Sequence, residues 1–269
     1  MRTIAIIQAR MGSARLPNKV MIPVLGKPLL GWMLGRVACC PEISETVVAT
    51  TMDVRDDVIA QFTESAGFQV YRGSEDDVLD RYYQAARLMM PDAVARITAD
   101  CPLMDPEVLG SMVREFESGK ADFISNSEPL PSSWPDGMDI SIMSFAALEK
   151  AWRYAIKPSE REHVTFYFWN NPQEFKCERI EHIPDLSKYR LTIDYPEDFL
   201  VIKAIIEHFC LPDPDTLKSV PMKAIIEFLD EHPDMFELNA AYSRGMGWQP
   251  SFERDKRLTG LKASETPQR

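Results

Sequence analysis

The sequence predicts an α/β protein with a mainly parallel sheet flanked by helices. Two observations carry the prediction. Short apolar, β-branched runs alternate with amphipathic stretches of about ten to fifteen residues, the rhythm of βαβ units. A chain of 269 residues, 45% hydrophobic and 26% charged, suits one large globular domain with a substantial core.

Thr3–Gln8 reads as a buried first strand. A polar loop follows, and then Pro28–Cys40 as a helix with proline at its start. Thr46–Thr51 is a β-branched strand, Asp56–Ala66 an amphipathic helix ended by Gly67, and Phe68–Tyr71 a short strand. Asp76–Met90 is a helix with Ser74 as the expected cap. Ala93–Thr98 is a strand that stops at Ala99–Pro102, and Asp105–Glu117 is a helix with an Asp-Pro start. Ala121–Ser125 reads as a strand. After a Pro- and Ser-rich loop, Asp139–Ser144 alternates like a strand and Phe145–Tyr154 is helical. Glu160–Asn170 is expected as one aromatic-rich helix, and Phe175–Ile183 and Tyr189–Ile193 as strands. Pro196–Phe209 and Met222–Glu231 complete the helices. Residues 1–242 form a single domain in this reading, and residues 243–269 a loose polar tail.

Several classes of function are disfavoured. Net charge is −11, whereas nucleic-acid binders usually carry a basic face. No apolar stretch approaches the roughly 20 residues of a membrane span. The first strand lacks the pattern of a secretory signal. Five cysteines scattered without CxxC spacing fit a reducing cytoplasm better than a zinc site or a disulfide framework. Gly26 and Gly119 precede lysines without the upstream glycine of a P-loop. Gly245-Met246-Gly247 continues to Pro250, where a dinucleotide fingerprint needs glycine. HExxH and GxSxG are absent.

Charge distribution says more than its sum. Met1–Pro41 carries six cations and no acid; the first is Glu42. Three of the six lie on the loop after the first strand, AIIQARMGSARLPNKVM. In an open α/β sheet that loop sits at the carboxyl edge, where ligands bind. Gly12 admits close backbone approach, and Arg10, Arg15 and Lys19 with backbone N–H groups can hold a polyphosphate. The plainer alternative is a solvated loop paired with surface acids.

Asp100, in RITADCPLMDPE, also falls at a strand end, where a carboxylate can hold Mg²⁺ together with substrate phosphates. A turn role is the alternative, although Asp105 already suits the cap of the next helix. Asp194, in LTIDYPEDF, ends a strand-like segment before Pro196. It reads equally as a helix cap or a second metal ligand.

These pieces together resemble the cytidylyltransferases that activate acidic sugars, the acylneuraminate and Kdo enzymes, and within them the SpsF-like spore-coat polysaccharide branch. The loop IIQARMGSARLPNKVM carries the resemblance. RGSEDDVLDRY, RITADCPLMDPEVL, PDGMDISIMS, REHVTFYF and LTIDYPEDF follow in the order of that branch, across roughly three quarters of the chain. Tyr195 departs from the pattern, which often has threonine there.

The resemblance implies a nucleotide-diphosphosugar-transferase-like, Rossmann-like fold, often dimeric. It implies CTP + sugar acid → CMP-sugar + pyrophosphate with Mg²⁺, in surface polysaccharide synthesis. Ala9, Arg10, Gly12 and Ser13 would hold base and phosphates. Arg15 and Lys19 would stabilise the triphosphate and leaving pyrophosphate, and Asp100 and Asp194 would bind Mg²⁺. Arg72, Gly73, Asp80 and Arg81 match a segment near the nucleotide. Arg161, Glu162 and His163 match one facing the sugar, with Asp136, Gly137 and Trp134 as further pocket candidates. A glycosyltransferase of related fold is the nearest alternative, but a strand-following DxD is missing. A non-catalytic nucleotide-binding protein is the other, and the intact set of cations and aspartates argues against it.

Overall fold

A computed structural model of the chain describes residues 1–211, 213 and 215–264, with side chains through 258. In chain order, β1 (Thr3–Gln8) leads to a small hairpin of β2 (Pro23–Val24) and β3 (Lys27–Pro28), then α1 (Leu29–Val37). β4 (Glu45–Thr51), α2 (Asp57–Ser65), β5 (Gln69–Gly73), α3 (Val78–Met89), β6 (Ala93–Thr98) and α4 (Pro106–Glu117) continue the alternation. β7 (Phe123–Ser125), β8 (Ser141–Ser144), α5 (Phe145–Tyr154), α6 (Pro158–His163), α7 (Phe166–Asn170) and β9 (Cys177–Arg179) follow. The chain then runs through α8 (Pro196–Cys210), α9 (Met222–Glu231), α10 (Pro233–Glu237) and α11 (Gln249–Ser264).

The main sheet has seven strands in the order β5-β4-β1-β6-β8-β7-β9. All neighbours are parallel except β8, which runs antiparallel to β6 and β7. Successive residues face opposite layers, so both faces of each central strand must be apolar. Ala5 and Ile7 pack with α1, α4, α8 and α9 through residues such as Leu30, Met112, Ile205 and Ile225. Ile4 and Ile6 pack with α3, α5 and α7 through Leu79, Tyr82, Leu148 and Phe168. β1 lies between β4 and β6, and the loops after β1 and β6 therefore meet at the carboxyl edge.

Five local expectations change. Asp77, not Ser74, caps α3: its side chain accepts from Asp80 N–H, while Ser74 Oγ accepts from Asp77 N–H one turn earlier. The expected helix over 160–170 is two, broken at Val164, which takes a φ of 63° to bury its side chain in the α3-side core. The strand expected over 175–183 is only Cys177–Arg179. Tyr189–Ile193 is extended but joins no ladder. One bridge, Arg190 to Asp136, is its only β pairing among the described residues, and its backbone is used elsewhere, as shown below. Lastly, the expected loose tail is helical over Gln249–Ser264 and packs on α6; residues 265–269 lie outside the described residues.

Candidate active site

The loop after β1 is held from both sides. Asp56 Oδ1 accepts from Met11 N–H at 2.7 Å, and Met11 O accepts from Ser13 N–H at 2.8 Å. The loop turns back at Asn18, in the left-handed region at φ 60°. This places Lys19 beneath it, with Nζ 3.0 Å from Asp100 Oδ2, 2.9 Å from Asp194 Oδ1 and 2.8 Å from the Ile193 carbonyl.

Asp194 reaches this point through backbone hydrogen bonding rather than a sheet. Ile193 N–H and the Thr192 hydroxyl both donate to the Asp100 carbonyl, at 2.8 and 3.1 Å. Buried Asp198 Oδ2 accepts from the N–H groups of Asp194 and Tyr195 at 2.8 and 2.9 Å. Arg190 clamps Asp198 with Nε and Nη2 at 2.8 and 3.0 Å. Gly137 packs beneath the same segment. Its φ is +103°, and a Cβ there would lie 2.4 Å from Leu191 C, so only glycine fits.

Electrostatics keep the centre charged. Burial works against the Lys19 ammonium, but Asp100 and Asp194 outweigh it and raise its pKa. Burial likewise works against the Asp100 carboxylate, but Lys19 and the Thr98 hydroxyl hold its pKa below the ordinary value. Arg15 adds a second cation, with Nη2 2.8 Å from Asp194 Oδ1 and its guanidinium 5.0 Å from the Tyr195 ring centre.

Above this centre lies a cavity of about 450 Å³. Of the expected nucleotide residues, Ala9, Arg10, Gly12, Ser13, Arg15, Lys19 and Arg81 line it, with Asp100 and Asp194. Glu162 and His163 line it from the far side. Arg81 is buried, with Nη1 donating to the Ser74 carbonyl at 2.7 Å and Nε without a partner among the described residues. An adjoining cavity of about 190 Å³ is lined by Asp136, Arg96, Glu128, Asp139, Arg190 and Arg244, and shares Gln8, Thr98 and His163 with the first.

Other expected residues lie outside both cavities. Arg72 ties β5 to the 51–57 turn, donating to the carbonyls of Thr51 and Asp53 at 2.8 Å each and to Asp57 at 2.6 Å. Gly73 sits against the Tyr71 ring. Asp80 accepts from Trp152 Nε1 at 2.8 Å, and Arg161 Nε donates to Asp77 at 3.0 Å, joining α6 to α3. Trp134 anchors its loop through Nε1 to the Ile180 carbonyl at 2.8 Å. The acid-free N-terminal segment also divides: Arg10, Arg15 and Lys19 face the cavity, but Arg36 is buried, donating to the carbonyls of Met104, Leu217 and Val220.

Sequence reasoning missed the C-terminal contribution. Arg244 Nη2 donates to Asp139 Oδ1 at 2.8 Å, and Trp248 lines both cavities, edge-on to Phe166 at 5.1 Å. His163 Nε2 lies 2.6 Å from Ser251 Oγ, and Ser159 N–H donates to Asp255 at 2.9 Å. Burial pushes His163 down to about 4, so it is neutral at physiological pH. The signal present was Gly245-Met246-Gly247-Trp248, set aside because it fits no dinucleotide fingerprint.

Asp100 and Asp194 supply hard oxygen donors on one ammonium, the type of set that Mg²⁺ takes together with phosphate oxygens. Among the described residues no group of three or more His, Cys, Asp or Glu that could hold a metal occurs. The donor chemistry therefore fits a cation completed by substrate.

A cation-bearing loop at the edge of a mainly parallel sheet faces two aspartates, and the fold is that of nucleotidyltransferases. The cytidylyltransferase family model matches residues 4–245, and the chain belongs to that family, in its SpsF-like branch. It is 36% identical over 242 residues to the uncharacterized protein MJ1063 of Methanocaldococcus jannaschii, covering 89% of this chain and 95% of that one. It is 34% identical over 239 residues to the spore coat polysaccharide biosynthesis protein SpsF of Bacillus subtilis, covering 85% and 94%. A cytidylyltransferase structure from Leptospira borgpetersenii superposes with a TM-score of 0.81 at 35% identity, covering 88% and 97%. The structure of CMP:2-keto-3-deoxy-manno-octonic acid synthetase complexed with CTP shares the fold, with a TM-score of 0.61 at 15% identity and 77% and 99% coverage.

Proposed function

We propose that this cytidylyltransferase uses CTP and an acidic sugar to form a CMP-sugar and pyrophosphate, with Mg²⁺, in surface polysaccharide synthesis. The observation that carries the reading is Lys19 shared between Asp100 and Asp194 directly under the cation-bearing loop. Support for CTP and for an acidic acceptor comes from what related proteins are named for: the CTP-complexed synthetase above, and SpsF for the pathway.

In this reading the acceptor hydroxyl attacks the α-phosphorus in line. One P–O bond forms, the bond to pyrophosphate breaks, and a proton is released. The protein supplies position and charge. Arg10, Arg15 and Lys19 neutralise the triphosphate, and Arg15 and Lys19 also meet the charge that grows on the leaving pyrophosphate. Arg81 lines the same cavity and adds positive charge to it. Asp100 and Asp194 would hold Mg²⁺, which when bound polarises the phosphate oxygens. The reading also includes a cytoplasmic location, supported by five cysteines scattered without CxxC spacing, and a homodimer, supported by the family resemblance alone.

Pyrophosphate release tests it, using the four nucleoside triphosphates against a panel of sugar acids with Mg²⁺. Release confined to CTP plus a sugar acid supports the reading. Activity only with a nucleotide-sugar donor would place the chain among glycosyltransferases.

A further inference from the structure

Four guanidiniums line the smaller cavity. Three have carboxylate partners: Arg15 with Asp194 at 2.8 Å, Arg190 with Asp136 at 2.6 Å, and Arg244 with Asp139 at 2.8 Å. Among the described residues Arg96 has no ion pair, and its buried Nε has no hydrogen-bond partner. Glu128 lines the same cavity, but its carboxylate receives the Thr165 hydroxyl and makes no ion pair with Arg96. Arg96 is half-buried and feels the charge of Glu128 without pairing with it, so an anion brought by a ligand would complete it.

Placement in the sheet sharpens this. Ile6 of β1 is opposite Arg96 of β6, and Gln8 is opposite Thr98. By strand alternation Arg96 and Gln8 share the face toward α3, α5 and α7, near the carboxyl edge of the sheet. Gln8 Oε1 is also buried without a partner, and both residues line the cavity that Arg244 and Trp248 close. The cavity is therefore lined by a guanidinium without a carboxylate partner among the described residues, beside the amide of Gln8, a lining that suits a carboxylate.

We infer that the smaller cavity is the acceptor subsite and that Arg96 receives the acceptor's carboxylate, with Gln8 beside it. The inference rests on the proposed acidic acceptor and assigns it a place and a specificity-determining residue. Arg96 takes no part in the bond changes at phosphorus; its charge selects acids over neutral sugars.

Calorimetric binding tests it on the full chain, with N-acetylneuraminate, 3-deoxy-manno-octulosonate and their methyl esters as probes. Wild type is expected to bind at least one acid, and its ester at least tenfold more weakly. Arg96→Met should abolish that preference while CTP binding stays within twofold. Arg96→Lys keeps the charge without the fork, and serves if the first variant fails to fold; its preference should drop at least threefold. An undiminished acid preference in either folded variant, or binding of neither acid by wild type, overturns the assignment. Pyrophosphate release is scored separately. Binding as expected without release would sink the proposed activity and leave the role of Arg96 standing.

Discussion

Lys19 Nζ lies 3.0 Å from Asp100 Oδ2, joining the loop after β1 to the turn after β6. The ammonium is largely withdrawn from water, with its side chain 13% exposed, and Asp194 shares it. This contact links the stability of the carboxyl edge to its chemistry, because removing either partner leaves an unbalanced charge.

Lys19→Ala leaves Asp100 without its cation beside Asp194, which keeps Arg15. Stability should fall by about 2–4 kcal/mol, and turnover by roughly 10²–10³, with the larger effect in kcat. Arg15→Ala should also lose kcat, not only CTP affinity; unchanged kcat in both variants would remove their catalytic role. Lys19 also predicts a pH signature. The lowered pKa of Asp100 contributes stability above the ordinary carboxylate value that is lost as pH falls through its folded value. The raised pKa of Lys19 contributes below the ordinary lysine value and is lost as pH rises through its own. Denaturation of Lys19→Ala across pH should show both limbs flattened relative to wild type.

Arg36→Met separates structural from functional cations within the acid-free segment. It removes the Arg36 donors from the Met104 and Val220 carbonyls, at about 1–3 kcal/mol each, while the Leu217 carbonyl keeps Val220 N–H. The melting temperature should drop markedly, while kcat at a temperature where the variant is folded stays near wild type. A large kcat loss in the folded variant would contradict this division.

Gly137→Ala forces a Cβ into the Leu191 backbone. Because that segment carries Asp194, the variant should lose both stability and turnover. Full activity would show that the close approach does not position Asp194.

His163 packs α6 on α11 in its neutral form. Its folded pKa, about 4, lies below the ordinary histidine value, so the unfolded chain binds the extra proton first as pH falls. The contribution is intact above about 6.5 and is lost as pH falls from there through about 4. Carboxylates titrate in part of this window too, so the readout is the difference between wild type and His163→Gln. That difference should shrink on acidification; a pH-independent difference would contradict it.

Much of this was legible from the sequence. The β1 loop, Asp100 and Asp194 each follow an apolar run and precede proline, glycine or a cap, so pattern alone puts them at chain turns. Asp194 was found through a strand signal even though no strand forms, because extended backbone is used to hydrogen-bond Asp100. Arg72 and Arg161 lie outside both cavities, because a charged side chain in a motif does not reveal whether it turns toward a cavity or a neighbouring element. Arg244 and Trp248 precede α11 in a segment with no helical period, and α11 itself docks through a few polar contacts, Ser251 to His163 and Asp255 to Ser159, and the Phe252 ring on Phe166, which leave little apolar period to read. The break at Val164 has no glycine or proline to announce it.

The most direct test of the central claim is transfer of label from α-phosphate-labelled CTP to a sugar acid by wild type and Asp100→Asn, with circular dichroism on both. The account predicts a folded Asp100→Asn that is slower by roughly 10³ or more, as loss of a metal-holding carboxylate requires. A folded Asp100→Asn that transfers label at the wild-type rate would contradict it.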